Sequence, residues 1–324
     1  MTKPHHAIED IYPLSPMQEG MLFHSLYGGE EDAPLLQWNC RFEKGIDAAA
    51  FRGAWERVID RHAILRTAIV LEEAEEPVQV VFGSVPAPWR ERDLSELSAA
   101  DRARAIEDCL KRDRHARFEL TEPPLMRFAL LRLTEHSSLF VWTFHLLLLD
   151  GWSTALVWNE ALALYESLRA GQAPALTSPR PYREYIAWQQ RQGPARAERF
   201  WSEALAGVTA PTPLVVERTA TGSTEEGAGY DEREIRLSAA ATRSLQEFSR
   251  RHRLTLNTLM RAAWALLLHR YSGEPTVVFG ATSSGRPAAL PGVESMVGLF
   301  INTSPVRVDV PDEESVATWL KRLQ

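Results

Sequence analysis

Apolar residues recur along this chain with two different periods, and the stretch where one gives way to the other carries the most information. Leu139 to Phe144 is an almost unbroken apolar run with aromatic and β-branched members, which predicts a short strand buried on both faces. Such a strand delivers His145 into the interior. Asp150 and Gly151 interrupt the run, and from Trp152 to Ala170 the period becomes helical, with Trp158, Ala161, Leu162, Tyr165 and Leu168 on one face. Asp150 is placed to cap that helix by accepting backbone N–H groups that have no partner within it. The pattern strand, polar loop, helix start is one in which catalytic side chains and free N–H groups are commonly collected.

Elsewhere the alternation predicts a mixed fold. Ser15, Pro16 and Gln18 give a capping-box start to a helix running toward Leu26. Trp38 to Phe42 reads as a strand, and Asp47 caps a helix whose Phe51, Trp55, Val58 and Ile59 share a face. Strands follow at Thr67 to Leu71 and Val78 to Phe82 around an acidic turn, Glu72 to Glu76. A charged helix comes next, from about Ser98 to Arg112. Pro124 to Leu133 pairs with Leu139 to His145 across the turn Thr134 to Ser138. Gly171 to Pro181 reads as a linker, and Thr219 to Gly229 as a surface loop. Ser238 starts another helix, and Leu256 to Tyr271 predicts an apolar helix, buried against a sheet and stopped at Gly273. The strand Thr276 to Phe279 and an amphipathic helix at Glu313 to Leu323 complete the pattern. Alternating strands and helices with hairpins indicate an α/β sandwich built on mixed sheet, not a regular βαβ array.

Composition narrows the class. At 324 residues and 45% hydrophobic content the chain is long enough for two cores. Lys+Arg of 36 against Asp+Glu of 43 leaves a net charge of −7 without a long single-sign block, which argues against a nucleic-acid or anionic-membrane surface. The cysteines Cys40 and Cys109 stand in unrelated contexts, as expected in a reducing, cytoplasmic compartment and unlike a disulfide framework. No apolar run approaches the ~18 residues that span a bilayer, and nothing resembles a signal peptide. His5-His6 has no acidic or cysteine partner at ligand spacing, so no metal is expected. Neither a Gly-x-Ser-x-Gly elbow nor a phosphate loop occurs.

Several strings are similar to one family. His145-Leu-Leu-Leu-Leu-Asp-Gly151 resembles the His-His-x-x-x-Asp-Gly signature of the condensation domains of nonribosomal peptide synthetases, with Leu146 in the place of the second histidine. Tyr12 to Leu26, Arg61-His-Ala-Ile-Leu-Arg-Thr67, Tyr182 to Gln189, Gly280 to Pro287 and Val297 to Thr303 resemble further motifs of that family, in its order. The resemblance implies two chloramphenicol acetyltransferase-like α/β sandwich lobes around a V-shaped cleft, one over residues 1–175 and a second, incomplete, over 176–324.

It also implies amide bond formation between two carrier-protein-bound thioesters. Phosphopantetheine arms would be supplied by upstream donor and downstream acceptor peptidyl carrier proteins, beside an adenylation domain, with no cofactor bound covalently. His145, the Leu146 position, Asp150 and Gly151 are the implied catalytic residues; Trp152, Ser153, Arg66 and Asn302 are implied in substrate binding, and Asp150 with Arg286 in a bracing ion pair. Leu146 neither accepts a proton nor donates a hydrogen bond, so impaired catalysis is expected. His145, on the neighbouring strand position, faces the opposite way and reads either as a substitute base or as a core histidine. Two other readings keep the fold: a non-catalytic docking module for carrier proteins or a neighbouring enzyme, and an acyltransferase with a freestanding acceptor.

Overall fold

The helix starts follow their capping side chains. In the computed structural model, which describes residues 7–27, 34–71, 76–172, 176–214, 234–311 and 313–324, Ser15 Oγ accepts the Gln18 N–H while Gln18 Oε1 accepts that of Ser15, at 3.2 and 2.9 Å. This reciprocal box opens α1 (Pro16–Tyr27). Asp47 opens α2 (Ala48–Arg61), Ser98 opens α3 (Ala99–His115) and Asp150 opens α4 (Gly151–Arg169), each by accepting one first-turn N–H on its side chain. The expected His5-His6 tail, most of the Glu72–Glu76 turn, the Thr219–Gly229 loop and part of the 171–181 linker lie outside the described residues.

The chain divides into two units, Met1–Gly193 with Ser283–Asn302, and Pro194–Thr282 with Thr303–Gln324. This differs from a division at residue 175: the stretch to Gly193 belongs with the first unit, and so does the later segment Ser283–Asn302. The reason is apolar burial, because Val293, Met296, Val297 and Phe300 are part of the first unit's core.

That core lies on two sheets. The first has the order β1-β4-β3, from β1 (Ile8–Pro13), β3 (Thr67–Val70) and β4 (Val78–Phe82), all antiparallel. The second has the order β2-β7-β6-β5, from β2 (Leu35–Phe42), β5 (Trp89–Asp93), β6 (Met126–Arg132) and β7 (Ser138–His145); only β5 pairs in parallel. β7 occupies a central position and is buried on both faces along nearly its whole length, as its apolar run predicts. The stripe Phe51, Trp55, Val58, Ile59 of α2 is fully buried and packs its aromatic rings against Phe128, Phe140 and Trp142 of the second sheet. The short helix α5 (Arg183–Gln190) follows the linker.

The second unit contains α6 (Pro194–Ala204), α7 (Ala239–His252), α8 (Leu256–Ser272), the paired strands β8 (Thr276–Ser283) and β9 (Asn302–Asp309), and α9 (Val316–Leu323). Gly273 ends α8 at φ +74°, the left-handed position that the sequence predicts. The expected burial of α8 is only half realised. Ala262, Ala265 and Leu268 are buried with Val277, Val308, Trp319 and Leu320, whereas Leu256, Met260, Trp264, Leu267 and Tyr271 form an exposed stripe on the same helix.

Candidate functional site

β7 ends at His145, whose strand position directs the imidazole toward the C-terminal turn of α1. The Leu147 N–H donates to Nδ1 at 3.1 Å, and Nε2 lies 3.3 Å from Ser25 Oγ. Because Nδ1 is the acceptor, the neutral ring carries its proton on Nε2 and donates to Ser25, which in turn donates to the Met21 carbonyl at 2.8 Å. Burial pulls the His145 pKa down to about 4, so the neutral form prevails near neutrality. Both ring nitrogens are therefore engaged by the protein itself.

Leu146 follows, half-buried against the main core, with its N–H donating to the Pro34 carbonyl at 2.8 Å. Leu147, Leu148 and Leu149 are fully buried and close the turn.

Asp150 is 3% exposed and organises the start of α4. Its Oδ1 accepts the Ser153 N–H at 2.7 Å and its Oδ2 accepts the Phe300 N–H at 3.1 Å. Arg286 Nη2 stands 3.5 Å from Oδ1, with both side chains buried. The Ser153 hydroxyl donates to the Gly298 carbonyl at 2.7 Å and accepts from the Gly298 N–H at 3.0 Å and from Arg286 Nη2 at 2.8 Å. Arg286 also donates to the Val293 and Met296 carbonyls and lies over the Phe300 ring, 4.0 Å from its centroid. Two segments far apart in sequence are thus locked by one carboxylate, one hydroxyl and one guanidinium.

The other expected site residues divide. Ser153 is fully buried, and the three partners of its hydroxyl leave it inside this knot, away from solvent. Trp152 is 51% exposed, and its Nε1 donates to the Glu294 carbonyl. Gly151 has ordinary negative φ, and a Cβ there would meet nothing within 4 Å, so neither a tight turn nor packing within the protein demands glycine. Arg66 is buried but is engaged by Glu9 at 2.6 Å and by the Phe82 carbonyl, which ties it to the edge of the β1-β4 pair and not to the 145–153 segment. Asn302 is exposed at the start of β9, and its carbonyl accepts the Ser283 hydroxyl. Among the described residues no cluster of His, Cys, Asp or Glu could hold a metal ion, and no helix is long and apolar enough to cross a membrane.

A family model described as Condensation domain matches residues 8–324. The chain belongs to the condensation-domain family. It is 48% identical over 318 residues to a linear gramicidin synthase of Brevibacillus parabrevis and 36% identical over 319 residues to bacitracin synthase 3 of Bacillus licheniformis, in each case across 98% of this chain. It spans only 4% and 5% of the length of those two proteins. Among solved structures, the first condensation domain of the calcium-dependent antibiotic synthetase superposes with a TM-score of 0.76 at 20% identity, covering 97% of this chain and 73% of its own. SgcC5 protein from Streptomyces globisporus superposes at 0.73 with 26% identity, covering 96% and 71%. The fold is thus chloramphenicol acetyltransferase-like.

This condensation domain also holds positions whose roles local sequence patterns do not reveal. Gln18, by its spacing a capping residue, uses its spare amide to donate to the Leu147 carbonyl at 3.0 Å and to Gln79 at 2.9 Å. Gln79 does leave a signal, being the single polar residue in Val78-Gln-Val-Val-Phe82. Tyr182 donates to the Leu299 carbonyl at 2.6 Å, and its ring fills the space a side chain at Gly298 would need. A lone glycine in a loop gives no such signal in sequence.

Proposed function

We propose that this condensation domain serves a peptide synthetase by joining two carrier-bound thioesters, with catalysis weakened by Leu146. In that reaction the acceptor amine attacks the donor thioester carbonyl. A C–N bond forms, the C–S bond breaks, the thiol of the donor arm leaves, and one proton must depart from the amine. A positioned base contributes on the order of 10²–10⁴-fold to such a step. Leu146 stands where the family signature has its second imidazole, and an isobutyl group supplies neither base nor hydrogen-bond donor.

The observation that carries the reading is that His145 does not replace the missing ring. Its Nδ1 already accepts the Leu147 N–H, and its Nε2 proton is directed at Ser25. What the domain retains is a scaffold: the Asp150–Ser153–Arg286 knot fixes the start of α4, and Gly151 leaves open space there. Upstream and downstream carrier proteins, their phosphopantetheine arms and a neighbouring adenylation domain are the corresponding partners.

The same observation favours a second reading, in which the domain binds carriers and makes no bond. Single-turnover assays with loaded donor and acceptor carriers separate the two. An increase in peptide product of about 10²-fold or more in Leu146→His is the outcome expected for the weakened enzyme. Carrier binding without product from either form identifies a docking module. Full-rate product from the natural chain would show that the missing imidazole is not needed.

A further inference from the structure

Helix α3 covers unevenly the face of the second sheet opposite α2. Near its middle, Ala105, Ile106 and Cys109 pack against the buried Leu94, Leu131 and Leu133, yet no residue of the helix is itself fully buried. Beyond that seal a cavity of about 380 Å³ opens between α3 and the sheet. Its floor is Ala129 of β6 and Val141 of β7, which stand opposite each other in the strand pair, with Leu131 beside them. Phe128 turns its ring to the other face, against Trp55. The space exists because Ala129, Cys109 and Ala116 are short where close packing would call for longer side chains. No residue of the 145–153 segment lines it. Whole small-molecule sites occupy about 300–1,000 Å³, so this one admits a ring with one substituent.

Charge at its mouth is one-sided. Arg90 and Arg92 of β5 pair in register with Ala129 and Leu131, which puts both on the cavity side, while Glu91 and Asp93 alternate to the opposite face. There Glu91 accepts the Trp89 Nε1–H at 2.7 Å, and Asp93 accepts from Ser95 at 2.6 Å. Neither Arg90 nor Arg92 has a hydrogen-bond or ion-pair partner among the described residues. Arg112, from α3, spends only its Nε, on the Asp108 carbonyl at 3.1 Å. The fourth guanidinium, that of Arg127, is fully used: it donates to the Asp113 carboxylate and carbonyl and to the Ala116 carbonyl. It therefore neutralises Asp113 and closes that end of the cavity. In the adjoining hollow Asp101 pairs with Arg104 at 3.2 Å, and Asp108 stands beside Lys111. Three guanidinium groups are left without an anion, in a chain whose net charge is −7.

We propose that this cavity binds a small oxyanion, a phosphate monoester or a carboxylate, that carries an apolar ring or short chain. Arg90, Arg92 and Arg112 take the head group, because their forked donors match both classes, and the body lies on Ala129, Leu131 and Val141. An inorganic anion meets only exposed guanidinium groups, whose attraction salt screens, and a neutral ring meets only the floor. The two contacts together select an amphiphilic anion. Such a ligand spans α3, β5 and β6 and stands apart from the Asp150 knot, so its binding does not depend on condensation chemistry or on Leu146.

Cys109 lines the cavity and Cys40 does not, which gives a local readout. The 324-residue protein is titrated by calorimetry with phenyl phosphate, benzoate, inorganic phosphate and benzyl alcohol, and alkylation of both cysteines by N-ethylmaleimide is followed by mass spectrometry. Phenyl phosphate or benzoate, the tighter of which identifies the head group, is expected to bind about 10-fold or more tighter than inorganic phosphate and than benzyl alcohol. The same ligand slows alkylation of Cys109 and leaves Cys40 unchanged. Arg90→Gln with Arg92→Gln, both at exposed positions, is expected to weaken that binding about 10-fold or more. Ala129→Leu fills the floor and brings the affinity down to that for inorganic phosphate, the folding of each variant being confirmed by circular dichroism. Inorganic phosphate bound as tightly as either aromatic anion would leave no more than a surface charge and would overturn the inference. Unchanged affinity in the double arginine variant overturns it as well, as does equal protection of Cys40 and Cys109, or no binding of either aromatic anion.

Discussion

The carboxylate of Asp150 accepts the backbone N–H of Phe300 at 3.1 Å, across 150 positions of sequence. Its other oxygen holds the first turn of α4 and faces Arg286. One side chain therefore serves at once as a helix cap and as the clasp on a returning segment.

Asp150→Ala leaves Arg286 buried without its counter-ion and strips two N–H groups of their acceptor. The expected loss is about 3–5 kcal/mol of unfolding free energy, read from urea denaturation. Adding Arg286→Met recovers part of it, because the stranded charge is removed. A single-variant loss below about 1 kcal/mol would contradict this account.

Two glycines within the site respond in opposite ways. Gly298→Ala drives a methyl group into the Tyr182 ring and is expected to cost about 1–3 kcal/mol or more through overpacking. Gly151→Ala meets open space at a helical position and is expected to be neutral or stabilising by up to about 1 kcal/mol. If Gly151→Ala nevertheless abolishes product formation or pantetheine binding, that glycine is kept for close approach of the substrate. Thermal unfolding and a binding titration, side by side, make the comparison.

Acidification probes His145. Its folded pKa, about 4, lies below the ordinary ~6.5, so between those values the unfolded chain binds the proton and the folded chain does not. Stability is present above about pH 6.5 and is lost as pH falls toward 4, by about 2 kcal/mol between pH 7 and 5. His145→Asn keeps an acceptor for the Leu147 N–H and removes the titration. Its unfolding midpoint is expected to vary less over this window than that of the natural chain.

Asp113 titrates in a lower window. Burial raises its carboxyl pKa, but hydrogen bonds from Thr143, Arg127 and Gln37, together with the Arg127 charge, outweigh that and hold it below the usual carboxylate range. Its contribution is present above about pH 4 and is lost as pH falls through the lowered value. Asp113→Asn is expected to flatten the acid limb below about pH 4 while leaving the His145 window unchanged.

Much of this was legible in the residues. The run Leu139 to Phe144, the caps Ser15, Asp47, Asp150 and Ser238, and the stop at Gly273 rest on local chemistry, and each appears at its expected place. β1 and β5 are not legible in the sequence: Trp89–Asp93 has a single apolar residue, and in the edge strand Ile8–Pro13 the isoleucines are spaced three apart and exposed, so neither stretch shows the alternation of a half-buried strand. The exposed face of α8 differs from expectation for the converse reason: apolar spacing predicts a stripe but does not supply the element that covers it. The partners of Gln18 and the exchange between Ser153 and Gly298 depend on contacts across more than 100 positions, which no local pattern encodes.

The return of Ser283–Asn302 to the first unit has a consequence for synthesis. A ribosome adding about 5–20 residues per second takes on the order of 8–30 s to pass from Asp150 to Phe300. Throughout that interval the nascent first unit has a buried carboxylate awaiting its amide, and the hollow later filled by Val293, Met296 and Phe300 stays open. Such a half-built intermediate is where chaperone engagement, or premature cleavage, would concentrate in the cell.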